Sequence, residues 1–518
     1  MEKHLSRGDE QGGAATTARP MSDEPQACTG IAGLDDILGG GLTPNRLYLI
    51  EGTPGTGKTT LSLGFLLEGA RRGEKGLYVT LSETEHELRA VAATHGWSLD
   101  ALELVELVAE AGLDPDLEQT LLHPSDVELG ETVRGVMERV EALRPERVVL
   151  DSLSELRMLS QNPLRYRRQI LALKHFFSKL NCTVLMLDDR TSEPGDLQLH
   201  SIAHGVVTLE QAAIDFGAER RRLRVMKFRG RRFRGGYHDY TIETGGLCVY
   251  PRLVASEHGA LFASDPVSTG VDGLDRLLGG GLVPGTNTLL VGPAGVGKTT
   301  TAVRCMVAAL ERGERAAYFL FDERLPTLMT RSAALGMDLR PHIEAGRLSI
   351  RQIDPAELSP GEFAGAVRRA VEADGVGFVL LDSLNAYMQA MPNDKFLTLQ
   401  MHELLGYLSR HGVVALMILG QHGIMGDLRS DVDLSYLADA VMLLRFFEAN
   451  GEVRKAISIV KTRTTDHERK IREFRVGAGG VVVGEPLANF RGVLTGLPEY
   501  RNEGQPTVGG DRERHPVG

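Results

Sequence analysis

The sequence predicts an α/β protein built from two tandem domains, each a mostly parallel sheet flanked by helices. Three observations predict it. A long segment occurs twice, strand-like and helix-like runs alternate in both copies, and a glycine-rich phosphate-loop pattern sits between strand and helix each time. The first copy reads "TGIAGLDDILGGGLTPNRLYLIEGTPGTGKTT" from Thr29, and the second reads "TGVDGLDRLLGGGLVPGTNTLLVGPAGVGKTT" from Thr269. The offset is 240 residues both between Thr29 and Thr269 and between Lys58 and Lys298, so the register holds without a gap. Shared helix or strand preference does not produce a match of that length, and the period is far above that of a solenoid. We read a leader over residues 1–23, domains over 24–252 and 264–500, a linker over 253–263 and a tail over 501–518. The leader and tail have the composition of disordered segments.

The elements follow in the same order in each half. A glycine-rich turn, Gly39 to Gly41 or Gly279 to Gly281, precedes an apolar strand, "RLYLIEG" or "TNTLLVG". The phosphate loop comes next and opens a helix, "TTLSLGFLLEGARRG" or "TTTAVRCMVAALERG". A second strand follows ("GLYVTL", "AAYFLF"), then a helix, then a strand ending in aspartate ("RVVLDS", "FVLLDS"), then a further strand ("TVLMLDD", "VVALMILG"). These are continuous apolar runs, as strands buried on both faces require.

Composition bounds the function. The 518 residues are 42% hydrophobic and 25% charged, with a net charge of -11. That balance argues against sequence-blind binding to a phosphate backbone, which needs a basic face. The dense basic run Glu219 to Gly236 is the exception, and no separate nucleic-acid module accompanies it. Four separated cysteines (Cys28, Cys182, Cys248, Cys305) form no metal-binding pair and read as buried free thiols of a reducing cytoplasm. No apolar run reaches the length of a membrane span, and the first twenty residues lack the apolar core of a secretory signal.

The pattern GxxxxGK[ST] fits Gly52 to Thr59 and Gly292 to Thr299. In the first copy Gly52, Thr53, Gly55, Thr56, Gly57, Lys58, Thr59 and Thr60 form the cradle. In the second Gly292, Gly295, Val296, Gly297, Lys298, Thr299 and Thr300 do so. Glycine lets backbone N–H groups turn toward phosphate oxygens, lysine reaches the outer phosphates, and the threonine hydroxyl binds magnesium. The following helix aims its positive end at the same charge. Asp151 and Asp382 end strands and can hold the magnesium with Thr59 and Thr299, so ATP and Mg2+ are the expected ligands. A group that activates the attacking nucleophile is expected at the second strand end. There Ser82-Glu83 stands in one half and Asp322-Glu323 in the other, while Glu87 and Arg324 read as solvated charge. Lys227 and Arg229, and Lys461 and Arg463, alternate along a strand and can neutralise a transferring phosphoryl group.

At these residues the sequence resembles the KaiC family of RecA-superfamily ATPases, the circadian clock group and its relatives, from Thr29 to about Tyr500. The resemblance rests on both "GGGL…GKTT" segments, the "SET" and "DER" strand ends, both "LDSL" aspartates, both K-x-R pairs, "HERKIREF" (His467 to Phe474) and "NFRGVLTGLP" (Asn489 to Pro498). It implies two RecA-like domains and a double-ring homohexamer with ATP at subunit interfaces. It also implies slow hydrolysis in the N-terminal ring, autophosphorylation in the C-terminal ring, and partner proteins in signalling. Lys227, Arg229, Lys461 and Arg463 would then serve the neighbouring subunit's nucleotide. The family's catalytic pair is Glu-Glu. Here Ser82 and Asp322 replace the first member, while Glu83 and Glu323 keep the second. The family's Ser-Thr phosphorylation pair falls on Ser435 and Tyr436, and its base-stacking aromatic on Leu335. These departures leave two readings open: an ATPase with serine autokinase activity, or a nucleotide-gated scaffold with little phosphotransfer.

Overall fold

The computed structural model describes residues 25–107, 124–160, 162–189, 198–213, 217–254, 265–389, 394–421, 435–493 and 499–500. The first repeat carries β1 (Leu47–Gly52), β2 (Gly76–Thr80), β3 (Leu102–Glu106), β4 (Arg147–Asp151), β5 (Thr183–Asp188), β6 (Gly205–Ala212), β7 (Arg220–Phe228), β8 (Tyr237–Glu243) and β9 (Gly246–Tyr250). The second carries β10 (Asn287–Pro293), β11 (Ala316–Leu320), β12 (Leu348–Gln352), β13 (Phe378–Asp382), β14 (Val414–Gln421), β15 (Ala440–Ala449), β16 (Glu452–Thr462), β17 (Arg472–Gly477) and β18 (Gly480–Pro486). Each set forms a nine-stranded sheet. The orders are β3-β2-β4-β5-β1-β6-β7-β8-β9 and β12-β11-β13-β14-β10-β15-β16-β17-β18, so the duplication extends to topology. In the second sheet β12 through β15 pair in parallel and β15 through β18 antiparallel.

The apolar runs become strands because helices cover both faces of the sheet. Tyr318, Leu320 and Leu380 face the helix Lys298–Glu311, joining Ala302 and Met306 in one core. Ala317, Phe319, Val379 and Leu381 face the other way, onto Phe363 of the helix Pro360–Glu372 and Leu404 and Leu408 of the helix Asp394–Arg410. Burying each such large side chain contributes about 1.5–3 kcal/mol. In the first repeat Arg147 opens β4 fully buried. Its guanidinium donates to the carbonyls of Cys28 and Phe65 at 2.7 Å, pairs with Glu74, and stacks on the Phe65 ring. Cys182 and Cys305 are buried thiols, as expected, whereas Cys28 and Cys248 are only half-buried.

Sequence periodicity missed the outer strands β3 and β12, whose exposed positions break the apolar run. Among the described residues no helix is long and apolar enough to cross a membrane.

β1 and β10 lie inside their sheets between strands on either side, and each runs directly into its glycine-rich loop. In sheets of this kind ligands meet the crevice outside the carboxyl ends of the strands. The carboxyl ends of β10, β11 and β13 bring Gly292, Asp322 and Asp382 to that edge.

Candidate nucleotide site

The second repeat shows the site in full. Gly292 closes β10 against β15, and a Cβ on it would lie 2.6 Å from the carbonyl oxygen of Leu444. Gly297 has φ 115°, and a Cβ there would press on Phe474. Glycine alone suits both places, so the loop can wrap tightly before the helix starts at Lys298. Lys298 folds back over the loop, with Nζ donating to the carbonyls of Gly292 and Pro293 at 2.8 Å each. Burial lowers its ammonium from the ordinary lysine value, and Asp382 opposes that. Thr299 Oγ1 donates to Asp382 Oδ2 at 2.9 Å, and Tyr318 OH donates to the same oxygen at 2.9 Å. Burial raises the Asp382 carboxyl above its ordinary range despite these two donors.

The two carboxylates at the end of β11 differ in setting. Asp322 accepts a hydrogen bond from Ser383, the residue after Asp382. Glu323 pairs with Arg331 at 2.9 Å, and burial raises its carboxyl while Arg331 pulls the other way. Lys298, Thr299, Asp322, Glu323, Asp382 and Gln421 line one cavity of about 490 Å³. Gln421 Oε1 is buried there with no hydrogen-bond partner among the described residues. The threonine hydroxyl and aspartate carboxylate are hard oxygen donors, and magnesium takes one or two such groups together with phosphate oxygens, so these residues fit that ion.

Parts of this arrangement recur in the first repeat, in its loop and in its strand ends. Lys58 Nζ donates to the carbonyls of Gly52 and Thr53 at 2.7 and 3.2 Å. Thr56 turns its hydroxyl onto the Thr53 carbonyl, and Tyr240 OH donates to the Thr56 carbonyl at 2.6 Å. Asp151 accepts from Tyr78 OH at 2.5 Å. Thr59 follows Lys58 as Thr299 follows Lys298, and the Thr60 hydroxyl lies 3.4 Å from the His95 ring. Glu83 is pinned through its backbone, its N–H donating to Thr80 Oγ1 and its carbonyl accepting from it. Ser82 takes the place of Asp322, and the matching hydroxyl of Ser152 is buried with no partner among the described residues. The peptide bonds Asp151–Ser152 and Asp382–Ser383 are both cis. Glu87 does more than face solvent, because it completes a capping box with Thr84 at the start of the helix Glu85–Thr94.

The K-x-R cations stand elsewhere. Lys461 Nζ donates to the carbonyls of Ser435 and Ala438 at 2.9 and 2.8 Å. Arg463 donates to the Tyr436 carbonyl at 2.9 Å and meets Asp439 at 3.5 Å. The pattern repeats: Lys227 holds the carbonyls of His200 and Ala203, and Arg229 that of Ser201. Ala440 pairs with Thr288, at the amino end of β10, whereas the phosphate loop leaves its carboxyl end at Gly292. Along a strand that separation is roughly 13 Å. Ser435 and Tyr436 lie in the turn that leads into β15, with the Tyr436 side chain exposed. Leu335 caps the helix Leu325–Ala334 and packs half-buried on the core.

Sequence reasoning missed Tyr78 and Tyr318, Ser383, Arg331 and Gln421. The tyrosines carried a signal: "GLYVTL" and "AAYFLF" each place a tyrosine hydroxyl at the third position of a mainly apolar strand.

A family model described as "ATPase: KaiC" matches residues 27–254 and 267–488. The chain is 27% identical to the "Circadian clock protein KaiC3" of Synechocystis sp., over 91% of this chain and 94% of that protein. It is also 27% identical to the "Circadian clock oscillator protein KaiC" of Prochlorococcus marinus and to that of Synechococcus elongatus. Each alignment covers 91% of this chain, and 95% and 91% of those proteins. With one family model spanning both sheets and both phosphate loops, the chain belongs to the KaiC family of ATPases.

Proposed function

We propose that the protein is an ATP-hydrolysing enzyme that also phosphorylates its own chain in the C-terminal repeat. It acts as a double-ring homohexamer in a cytoplasmic signalling or clock-like system with partner proteins. The domains are 24–252 for the N-terminal ATPase and 264–500 for the ATPase and kinase. The carrying observation is the chain Tyr318–Asp382–Thr299 beside Lys298, with Glu323 in the same cavity.

In this reading the loops Gly52 to Thr60 and Gly292 to Thr300 hold the nucleotide phosphates. Thr299 with Asp382, and Thr59 with Asp151, would hold magnesium, which would supply neutralisation of the phosphate charge. Glu323, with Asp322 beside it, takes the proton from water or from the Ser435 hydroxyl as that oxygen bonds to the γ-phosphorus. The bond from γ-phosphorus to the bridging oxygen breaks, and ADP leaves. Glu83 has that task in the first repeat. Lys461 and Arg463 lie at the other end of β10 from their own loop, which supports their serving a neighbouring subunit's phosphates, as Lys227 and Arg229 would in the first ring. Ser435, on the same side as Lys461, would likewise meet a neighbour's nucleotide.

A second reading is a nucleotide-gated scaffold, and the Ser152 hydroxyl, without a partner among the described residues where Ser383 meets Asp322 in the second repeat, favours it for the first ring. Incubation with Mg and γ-labelled ATP, followed by mass-spectrometric mapping, decides between them. Label on Ser435 that is lost in Lys298→Ala establishes the kinase. Label on Tyr436 moves the phosphosite. Free phosphate alone leaves an ATPase, and neither product leaves the scaffold.

A further inference from the structure

The first repeat holds a basic cavity that no residue of its phosphate loop lines. It measures about 320 Å³ and lies at the amino end of β1, between Arg46 and Leu47 on one side and Lys174, Cys182, His204 and Arg229 on the other. A smaller opening of about 190 Å³ adjoins it, shares Arg46, His204 and Arg229, and adds Arg231. The cations here meet carbonyls only. Lys174 Nζ donates to the Ile202 carbonyl at 2.6 Å, Arg229 to Ser201 at 2.8 Å, and Arg46 to its neighbour Asn45 at 3.0 Å. None of the three pairs with a carboxylate among the described residues. His204 Nε2 is buried with no hydrogen-bond partner among the described residues. Burial lowers the Lys174 ammonium, and then Arg229 and Arg46 lower it further, so the cations repel one another in a partly dry space.

The second repeat is an internal control. His204 N donates to the Leu47 carbonyl as Asp439 N donates to that of Asn287, at 2.8 Å in both. The helices Pro163–Lys179 and Asp394–Arg410 are both 17 residues long, so Lys174 corresponds to Leu405, and Arg46 to Thr286. There a hydroxyl and an apolar group replace two of the cations, Arg463 keeps the place of Arg229, and an acid, Asp439, stands where His204 does. Asp439 accepts from the Asn287 N–H at 3.0 Å and meets Arg463 at 3.5 Å. One copy supplies its own carboxylate to the arginine, and the other leaves the counter-charge to come from outside.

We propose that this cavity in the first repeat binds a free phosphate-class anion of two to three negative charges, through Arg46, Lys174 and Arg229 with His204 as a further donor. The site is distinct from the phosphate loops and does not need them; Arg229 is shared with the neighbour's nucleotide of the assembly proposed above, so the two ligands would compete for that side chain. Three cations against a pyrophosphate group come close to balance, and charge-assisted bonds of this kind are the strong ones.

The test is calorimetric titration of inorganic pyrophosphate into the full-length Lys58→Ala/Lys298→Ala protein, in which both loops are disabled. One site per chain is expected. Binding should weaken at least tenfold when Lys174→Leu or His204→Asp is added, and should fall as salt is raised. Lys174→Gln, checked by circular dichroism, serves if the leucine variant does not fold. No heat in the parent overturns the proposal, and so does undiminished binding in both variants. Binding seen only in nucleotide-assembled complexes also overturns it, because the cavity would then take a neighbouring subunit's nucleotide rather than a free anion.

Discussion

Replacing Ser82 with aspartate tests what the first repeat lost. In the second repeat Asp322 receives the hydroxyl of Ser383, next to the buried Asp382. In the first, Ser82 is too short to do this and the Ser152 hydroxyl is left buried and unpartnered beside Asp151. Ser82→Asp supplies the acceptor and places a second negative charge next to Glu83. A hydrogen bond to a charged group is worth about 1.5–3 kcal/mol when desolvated. Position 82 is exposed, so about 1 kcal/mol is the better figure. Expressed in the transition state, that corresponds to about a fivefold rise in turnover. The assay is phosphate release from Mg-ATP in a Lys298→Ala background, where only the first site turns over, with melting measured in parallel. A melting point that rises while turnover stays flat or falls would refute the catalytic role of this position and leave it structural.

Three further outcomes follow from the same geometry. Arg463→Ala should lower turnover by an order of magnitude or more with melting little changed, because the side chain is half exposed and bonds only the Tyr436 carbonyl and Asp439; unchanged steady-state rates would remove it from the mechanism. Asp382→Asn should abolish turnover at the second loop yet raise the melting point of nucleotide-free protein at neutral pH, where the buried carboxylate is costly to hold ionised, and calorimetry reads it. Its folded-state carboxyl is raised above the unfolded one, so the stability it contributes is present at acid pH and lost as pH rises through the folded value. Glu323 is raised by burial in the same sense and must lose its proton to act, so turnover of the Lys58→Ala protein should fall with acidity above the ordinary carboxylate range, and Arg331→Met should move that limb to still higher pH. A pH profile identical in the two proteins would exclude Glu323 as the base.

Much of this was readable from the chain because the duplication let each half vouch for the other. The phosphate loops, the strand-end aspartates and the parallel core depend on local runs of residues, and those runs are visible as text. The K-x-R cations were found for the same reason, but not what they hold, since Lys461 reaches back 26 residues to the Ser435 carbonyl. Tyr318 was hidden differently: a tyrosine in a strand reads as core, and its hydroxyl acquires meaning only when pairing of β11 with β13 puts Asp382 one turn of the pleat away. Arg331 was invisible because its partner, eight residues earlier, sits on a strand end rather than the same helix. The cavity at Lys174 could be seen only after topology brought four separate segments together.

The buried tyrosine in each second strand makes strand pairing a check on chemistry. Leu320 sits opposite Asp382, and Tyr318 opposite Leu380, in one register. Sliding β11 by a single residue would turn the tyrosine to the opposite face and strip the aspartate of a donor. Thr80 and Tyr78 stand in the same relation to Asp151 and Val149. A chain that folds with its sheet out of step therefore becomes a silent protein and not an uncontrolled consumer of ATP: the interior ruler that measures correct folding also arms the site.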